Sequence, residues 1–154
     1  MTAARQAIDP GMVCNSTALR KAGRRLTRFY DACMAETGLR ATQYTILNLL
    51  ATRGPTTMAA LADVLSMDRA TMGHNLRPLE RDGLITIQIG REDRREREVA
   101  LSTLGAQIEA QSKASWLKAQ ACFEKEFGTE RALAMRRLMA RVAELDLTID
   151  QETS

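Results

Sequence analysis

The apolar residues of this 154-residue chain switch from a helical to a strand spacing at one place, and that switch limits the folds open to it. Between Ser16 and Arg81 they recur every three or four positions, which is typical of helices that bury one face. Residues 84–89, with the sequence LITIQI, are instead rich in β-branched side chains and predict a strand. A polar stretch over 90–96 and a second strand over 97–101 complete a hairpin, after which the helical spacing returns. The pattern predicts a mainly α fold with one small β-hairpin.

Turn and capping signals divide the helical part into separate elements. Gly38, Gly54-Pro55 and Gly83 stand where helices are expected to end. The expected helices are 16–37, 42–52 with Thr42 as N-cap, a short helix around 58–65, 69–81, 103–127 with Ser102 or Thr103 as N-cap, and 129–149 with Thr129 as N-cap. Pro78 either kinks the last turn of the fourth helix or ends that helix early, near Arg77.

The order of these elements predicts a winged helix-turn-helix domain between two helical chain ends. We expect an irregular arm over 1–15, a helical dimerisation region formed by 16–38 and 103–149, the winged helix-turn-helix over 39–102 and a flexible tail over 150–154. A helix of about 26 residues is about 39 Å long, which is more than so small a domain can cover. The apolar stripes of the outer helices therefore predict a homodimer built from both chain ends.

The charge distribution indicates which part of the chain would meet an anionic partner. The net charge is +3, with 15 Lys and Arg against 11 Asp and Glu up to residue 101, and 7 against 8 beyond it. An anionic partner should therefore meet the first two thirds of the chain. Arg outnumbers Lys by 18 to 4, which either favours bidentate contacts to phosphate and guanine or reflects a GC-rich genome.

Several function classes lack their usual residues in this sequence. The three cysteines are widely spaced and form no CxxC pair, and there is one histidine, so we expect no metal site and no disulfide framework. The sequence has no HExxH, no GxSxG and no phosphate-cradling glycine loop, so we expect no catalytic residues, no cofactor and no enzyme activity. No signal-peptide core and no long apolar run are present, so we expect a cytoplasmic protein without a membrane partner.

The fourth helix and the hairpin carry the residues expected to contact double-stranded DNA. With Met72, Leu76 and Leu79 buried, the exposed face of a major-groove recognition helix would hold Arg69, Ala70, Thr71, Gly73, His74 and Arg77. The hairpin would be a wing that places Arg91, Arg94 and Arg95 at the minor groove. The competing interpretation is an ordinary solvated helix face, in which these arginines only add solubility.

Seven short segments in this order resemble the MarR family of bacterial transcriptional regulators. They are LRATQYTILNLL from Leu39, GPT from Gly54, LA from Leu61, MDRATM from Met67, LERDGLI from Leu79, DRR from Asp93 and LSTLG from Leu101. The resemblance implies a dimeric repressor on a palindromic operator, released by a small molecule such as an aromatic acid, or by oxidation. It also implies that Asp68 pairs with Arg95, with Asp93 completing the wing motif, although Asp68 is equally suited to be the N-cap of the recognition helix.

How the regulator would be released stays open at this stage. An effector between the dimerisation region and the winged domain would contact Arg20, Arg24 or Tyr30 on the first helix. The alternative is a redox-responsive regulator that uses Cys14. The reactive cysteine of peroxide-sensing members aligns with Ser16, and the tyrosine that activates it aligns with Arg20, which argues against that mechanism. A further alternative is a winged-helix module that binds proteins and no longer binds DNA.

Overall fold

A computed structural model describes residues 14–90 and 93–147 of the chain. Six α-helices and a three-stranded antiparallel sheet follow one another along it. The elements are α1 Asn15–Met34, a 3-10 helix Ala35–Thr37, α2 Ala41–Arg53, β1 Thr56–Thr57, α3 Met58–Val64, α4 Arg69–Arg81, β2 Ile85–Ile89, β3 Arg97–Leu101, α5 Thr103–Phe127 and α6 Thr129–Ala143. The predicted mainly α fold with a β-hairpin wing is confirmed.

The sheet contains one strand that the sequence pattern did not predict. Strand β3 lies between β2 and the two-residue strand β1, and Thr56 and Thr57 pair with Val99 and Glu98. Two residues are too few to show a period-two pattern. β1 forms because β3 has a second edge whose backbone groups need partners.

Two of the predicted N-caps are wrong. Helix α2 begins at Ala41, before Thr42, and its first backbone N–H donates to the Asp31 carboxylate of α1 at 2.9 Å. This cap comes from a neighbouring helix, so local sequence does not reveal it. Helix α6 begins at Thr129 itself, with Gly128 as N-cap, and it ends at Ala143. The predicted helix to Ile149 is therefore too long, because residues 144–147 are not helical.

Helix α4 continues through Pro78 to Arg81, so the predicted span 69–81 is confirmed and the alternative of an early end near Arg77 is wrong. A proline in the last turn removes one backbone donor. The helical hydrogen-bond pattern nevertheless continues after Pro78, since the backbone N–H of Asp82 donates to the Pro78 carbonyl at 2.9 Å.

The hydrophobic core lies in the winged helix-turn-helix and contains residues from α1, α2, α3, α4 and the sheet. Its fully buried members include Met34 of α1 and Ile46 of α2, together with Met72, Leu76 and Leu79 of α4. The sheet covers the other side of this core with Ile85 and Val99. By contrast, α6 buries Ala132 but leaves Leu138, Met139 and Val142 exposed.

A buried carboxylate joins the long helix α5 to the winged domain. Glu109 is 8% exposed, and it accepts hydrogen bonds from the Asn48 side chain at 2.9 Å and from the Tyr44 hydroxyl at 3.4 Å. Burial, reinforced by this carboxylate, raises the pKa of Tyr44 above its ordinary value. The Tyr44 hydroxyl therefore stays neutral and can donate to Glu109 across the physiological range.

The start of α5 packs tightly against the end of α4. Ser102 is its N-cap, accepting a bond from the Gly105 N–H at 2.9 Å, and the same hydroxyl donates to the Gly83 carbonyl at 2.6 Å. The Ser102 N–H donates to the Leu84 carbonyl at 3.0 Å. A Cβ atom at Gly105 would overlap the carbonyl oxygen of Leu84, so this position admits only glycine without a backbone shift.

We expect Gly105→Ala to lower the free energy of unfolding by about 2 kcal/mol or more, because the new methyl group must displace backbone. Gly73→Ala is the matched control, since it also lies inside a helix but a Cβ there meets nothing within 4 Å. That control should gain about 0.5–1 kcal/mol from helix propensity. Urea unfolding followed by circular dichroism measures both, and equal stability of the two variants would contradict the packing analysis.

Candidate nucleic-acid interface and ligand cavity

The N-terminus of α4 is set by Asp68. Its Oδ1 atom accepts from the Thr71 backbone N–H at 2.8 Å and its Oδ2 atom from the Thr71 hydroxyl at 2.8 Å. These bonds hold the pKa of Asp68 below its ordinary value, so the cap stays ionised at neutral pH. Ser66, at φ 50°, turns the chain immediately before this cap. The helix-turn-helix geometry therefore follows from a local turn and a local N-cap.

One face of α4 points into the core and the other into solvent. Met72, Leu76 and Leu79 are buried, as predicted. The residues predicted to contact DNA lie on the solvent side: Gly73 is half-buried, and the exposed ones are Arg69, Ala70, Thr71, His74 and Arg77. The Thr71 hydroxyl already donates to Asp68, so towards a ligand it can only accept a hydrogen bond.

The wing is a tight turn organised by Asp93. Its carboxylate accepts from the Arg95 N–H at 2.8 Å, and its carbonyl accepts from the Glu96 N–H at 3.1 Å. Gly90 lies beneath this turn, where a Cβ atom would come within 2.6 Å of the Asp93 carbonyl oxygen. Arg94 and Arg95 are exposed at the tip, and Arg91 lies outside the described residues.

Asp68 and Arg95 do not form an ion pair within the described part of the chain. Among the described residues, the two salt bridges join Arg81 to Asp82 and Arg136 to Glu124. The side chain of Asp68 is engaged with Thr71, which agrees with its interpretation as the N-cap.

Arg95 instead shares a crevice with Arg69 at the base of the wing. The crevice has a volume of 240 Å³ and is lined by Met58, Ala59, Arg69, Arg95, Glu96 and Arg97. Three arginines and one glutamate are among its lining residues, so the lining carries a net positive charge. No local pattern of the sequence singles out Arg97, because its place in the crevice depends on how the hairpin packs against α3 and α4.

A separate cavity of 470 Å³ lies among α1, α2, α5 and α6. Its lining residues are Gly23, Leu26, Thr27, Tyr30, Ala41, Thr42, Thr45, Leu65, Met67, Trp116, Gln120, Phe123, Met135 and Arg136. Of the three residues predicted to contact an effector, Tyr30 lines this cavity. Arg20 and Arg24 do not line it, and both are exposed to solvent on α1.

Tyr30 is a neutral hydrogen-bond donor in the cavity wall. Its hydroxyl donates to Oε1 of Gln120. Burial raises the pKa of Tyr30, and the nearby Glu124 raises it further while Arg136 opposes that rise. Next to it, the rings of Trp116 and Tyr44 lie 5.9 Å apart between centroids, so the cavity has an aromatic floor that reaches the core.

An apolar groove of 480 Å³ continues from the cavity along α1, α5 and α6. The two share Leu26, Phe123 and Met135, and the groove also holds Phe29, Phe127 and Cys122. Beyond it, the exposed apolar side chains of α6 extend the same uncovered surface.

Cys14 is the cysteine whose surroundings favour the thiolate. It stands at the N-cap of α1, where the polar groups of Thr17 and the N–H of Ser16 lower its pKa. Cys14 and Cys33 stand near opposite ends of α1, and the described cysteines are unpaired.

Within the described ranges, no group of side chains is arranged to hold a metal ion. None of the described helices is long and apolar enough to cross a membrane.

Comparison with known proteins relates this fold to one family. The model of the MarR family matches residues 39–97. No curated protein matches the chain in sequence. Among solved structures, the M. tuberculosis transcriptional regulator MOSR, in complex with DNA, is 27% identical with a TM-score of 0.70, over 86% of this chain and 99% of that one.

Two further solved structures show the same fold at lower identity. A mutant of MarR from E. coli, complexed with operator DNA, is 19% identical with a TM-score of 0.75, over 87% of this chain and 98% of that one. BpsR of Bordetella bronchiseptica, whose DNA binding is regulated by 6-hydroxynicotinic acid, is 18% identical with a TM-score of 0.76, over 88% and 96%. Residues 39–97 thus match the model of the MarR family, and the fold around them is similar to that of solved transcriptional regulators.

Proposed function

We propose that this protein is a sequence-specific DNA-binding repressor that acts as a homodimer on a palindromic operator and is released by a small molecule. The observation that carries the proposal is the exposed face of α4, where Arg69, His74 and Arg77 lie opposite the buried stripe. An exposed helix of this kind beside an arginine-bearing wing matches the geometry that reads a major groove and its neighbouring minor groove.

The electropositive crevice supports contact with the phosphate backbone. The Asp68 side chain is engaged with Thr71 and forms no ion pair with Arg69 or Arg95, so both arginines remain available to an anion. Two guanidinium groups that share a crevice repel each other, and an anion between them relieves that repulsion. The DNA seen in the MOSR and MarR structures is consistent with this assignment.

The uncovered apolar surface supports a homodimer. Leu138 is 57% exposed and Leu145 is 58% exposed, and Met135, three residues before Leu138 on α6, lines the apolar groove. A second copy of the chain would remove this apolar surface from water. In the resulting dimer we expect the two recognition helices to lie about 34 Å apart, which is one turn of DNA.

The position of the 470 Å³ cavity supports release by a small molecule. Its wall combines α1, α5 and α6 with α2 and the end of α3, so a ligand would touch both the dimerisation helices and the winged domain. It would lower operator occupancy by binding more tightly to a dimer whose helix spacing no longer fits the grooves. The regulation of BpsR by 6-hydroxynicotinic acid makes an aromatic acid a reasonable first class of effector.

We expect the purified protein to bind one segment of DNA upstream of its own gene tightly, with an affinity that falls steeply as salt rises. With about six phosphate contacts, the affinity should fall by about three orders of magnitude between 50 and 200 mM salt. A fluorescence-anisotropy titration across a salt series measures this. Weak and equal binding to all DNA would contradict sequence-specific recognition and favour a protein-interaction module.

Arg77→Ala and Arg95→Ala should each weaken operator binding by about tenfold or more, because each removes an exposed guanidinium from the proposed interface. Arg141→Ala is the matched control, since Arg141 is equally exposed but lies on α6. All three variants should keep the thermal midpoint of the wild type. Unchanged operator affinity in both interface variants would refute the proposed docking mode.

The lowered pKa of Cys14 favours a second candidate, a regulator that responds to oxidation. A cysteine with a depressed pKa carries more thiolate at neutral pH, and the thiolate is the form that peroxide oxidises. Under this candidate, mild peroxide would oxidise Cys14 and release the operator, and Cys14→Ser would abolish the response.

The half-point of Cys14 alkylation by iodoacetamide should lie at a lower pH than that of free glutathione, because the neighbouring polar groups of Thr17 and Ser16 lower the pKa of Cys14. Thr17→Val should move this half-point upward by removing the hydroxyl. Mass spectrometry of the alkylated peptide measures the rate at each pH. If peroxide changes neither Cys14 nor operator binding, the redox candidate is excluded.

A further inference from the structure

The Thr71 hydroxyl has a fixed polarity, because Asp68 takes its hydrogen. Oδ1 of Asp68 accepts from the Thr71 backbone N–H at 2.8 Å, and Oδ2 accepts from the Thr71 hydroxyl at 2.8 Å. A hydroxyl group has one hydrogen and two lone pairs. The backbone N–H and the hydroxyl of Thr71 lower the pKa of Asp68, so the carboxylate stays ionised and has no hydrogen to give back. Thr71 therefore presents a lone pair to solvent.

Small residues flank Thr71 on the exposed face of α4. Thr71 itself is exposed, and so is Ala70 before it. Gly73 follows two positions later, and a Cβ atom there would meet nothing within 4 Å. The edge of a base can therefore come close to the helix at this point and reach the Thr71 hydroxyl oxygen.

The start of α4 disfavours a phosphate group at Thr71. Helix N-termini commonly bind phosphate through free N–H groups and the helix dipole. Here the Thr71 N–H is already bonded to Asp68, whose carboxylate adds a negative charge at that end. An ionised phosphate oxygen also has no hydrogen to offer the lone pair of Thr71. The Thr71 position therefore suits a hydrogen-bond donor on the edge of a base.

Two bases present such a donor in the major groove, cytosine with its N4 amino group and adenine with its N6 amino group. Guanine presents N7 and O6 and thymine presents O4, which are acceptors and would face the lone pair without a hydrogen between them. Adenine also presents the acceptor N7 beside its amino group, whereas cytosine presents no acceptor there. Cytosine is therefore the base whose edge best matches the Thr71 lone pair and the Asp68 carboxylate beside it.

We propose that Thr71 is a specificity-determining residue that accepts a hydrogen bond from the amino group of a cytosine in each half of the operator, and that Asp68 is the positioning residue that fixes its polarity. The inference rests on the proposed function, because it names the base that the start of the recognition helix reads. Adenine comes second within this class, and guanine and thymine are rejected. In a homodimer the contact occurs twice, once in each half-site.

The experiment selects preferred sequences from a pool of double-stranded DNA with a randomised segment, using the full chain. The variants are Thr71→Val, Thr71→Ser, Asp68→Asn and the combination of Thr71→Val with Asp68→Asn. Asparagine is as good an N-cap as aspartate, so Asp68→Asn keeps the start of α4. Thr52→Val is the matched control, since Thr52 is exposed and its hydroxyl donates to the Asn48 carbonyl within α2 at 2.8 Å.

The position read by Thr71 is the one at which the sequences selected by the wild type and by Thr71→Val differ. Operators with each of the four bases at that position are then compared by fluorescence anisotropy. We expect the wild type, Thr71→Ser and Thr52→Val to bind the cytosine operator about tenfold more tightly per half-site than the guanine or thymine operator, with adenine between them. Thr71→Val should lose most of this preference.

Asp68→Asn should reverse the preference towards guanine or thymine. The new amide can donate to the Thr71 oxygen, which leaves the hydroxyl hydrogen free to point at an acceptor on the base. The double variant should lose the reversed preference, because the hydroxyl is gone. If Thr71→Val proves unstable in thermal unfolding, Asp68→Asn still decides, since the reversal needs the intact hydroxyl.

Three results would overturn this inference while the proposed repressor function stands. They are an unchanged selection by Thr71→Val, a retained preference for cytosine in Asp68→Asn, and a reversed preference that persists in the double variant and so belongs to position 68. Selection of no sequence by the wild type would overturn the proposed function together with this inference.

Discussion

The junction between the recognition helix, the hairpin and the long helix α5 is the contact on which the rest of the structure depends. The Ser102 hydroxyl donates to the Gly83 carbonyl and the Ser102 N–H donates to the Leu84 carbonyl, and Gly105 lies against the same backbone. These bonds join the end of α4 to the start of α5, and the hairpin runs between them. Because backbone atoms are in direct contact there, a shift of α5 must be transmitted to the wing and to α4.

Local hydrogen bonds at the DNA-facing side leave the arginines without carboxylate partners. Asp68 caps α4 through Thr71, and the Asp93 carboxylate accepts from the backbone of Arg95 rather than from its guanidinium. These two acidic residues therefore shape the turn and the wing without forming an ion pair with a neighbouring arginine. Although the wing contains acidic residues, its crevice with Arg69 remains electropositive. The arginines of this surface therefore remain available to an anionic polymer, although the sequence as a whole is nearly balanced in charge.

The two helical ends are connected to the winged domain through polar groups as well as through apolar packing. Glu109 of α5 accepts bonds from Asn48 and Tyr44 of α2, and Tyr44 lies against Trp116 at the cavity floor. A displacement of Trp116 in the cavity wall would therefore act on Tyr44, which belongs to the core of the winged domain. Buried hydrogen-bonded carboxylates are costly to separate from their partners, so this contact favours rigid movement of α2 with α5.

The sequence by itself determined the helical elements, the hairpin and the exposed face of α4, because periodicity and capping are local properties of a chain. It also indicated that the outer helices carry more apolar surface than the winged domain can cover. Only the tertiary structure decided the start of α2, which Asp31 of another helix caps, and the strand β1, which forms on a free edge. It also decided that Tyr30 lines the cavity with Arg136 while Arg20 and Arg24 do not. Contacts between residues far apart in sequence depend on how the helices pack, and no local pattern records that packing.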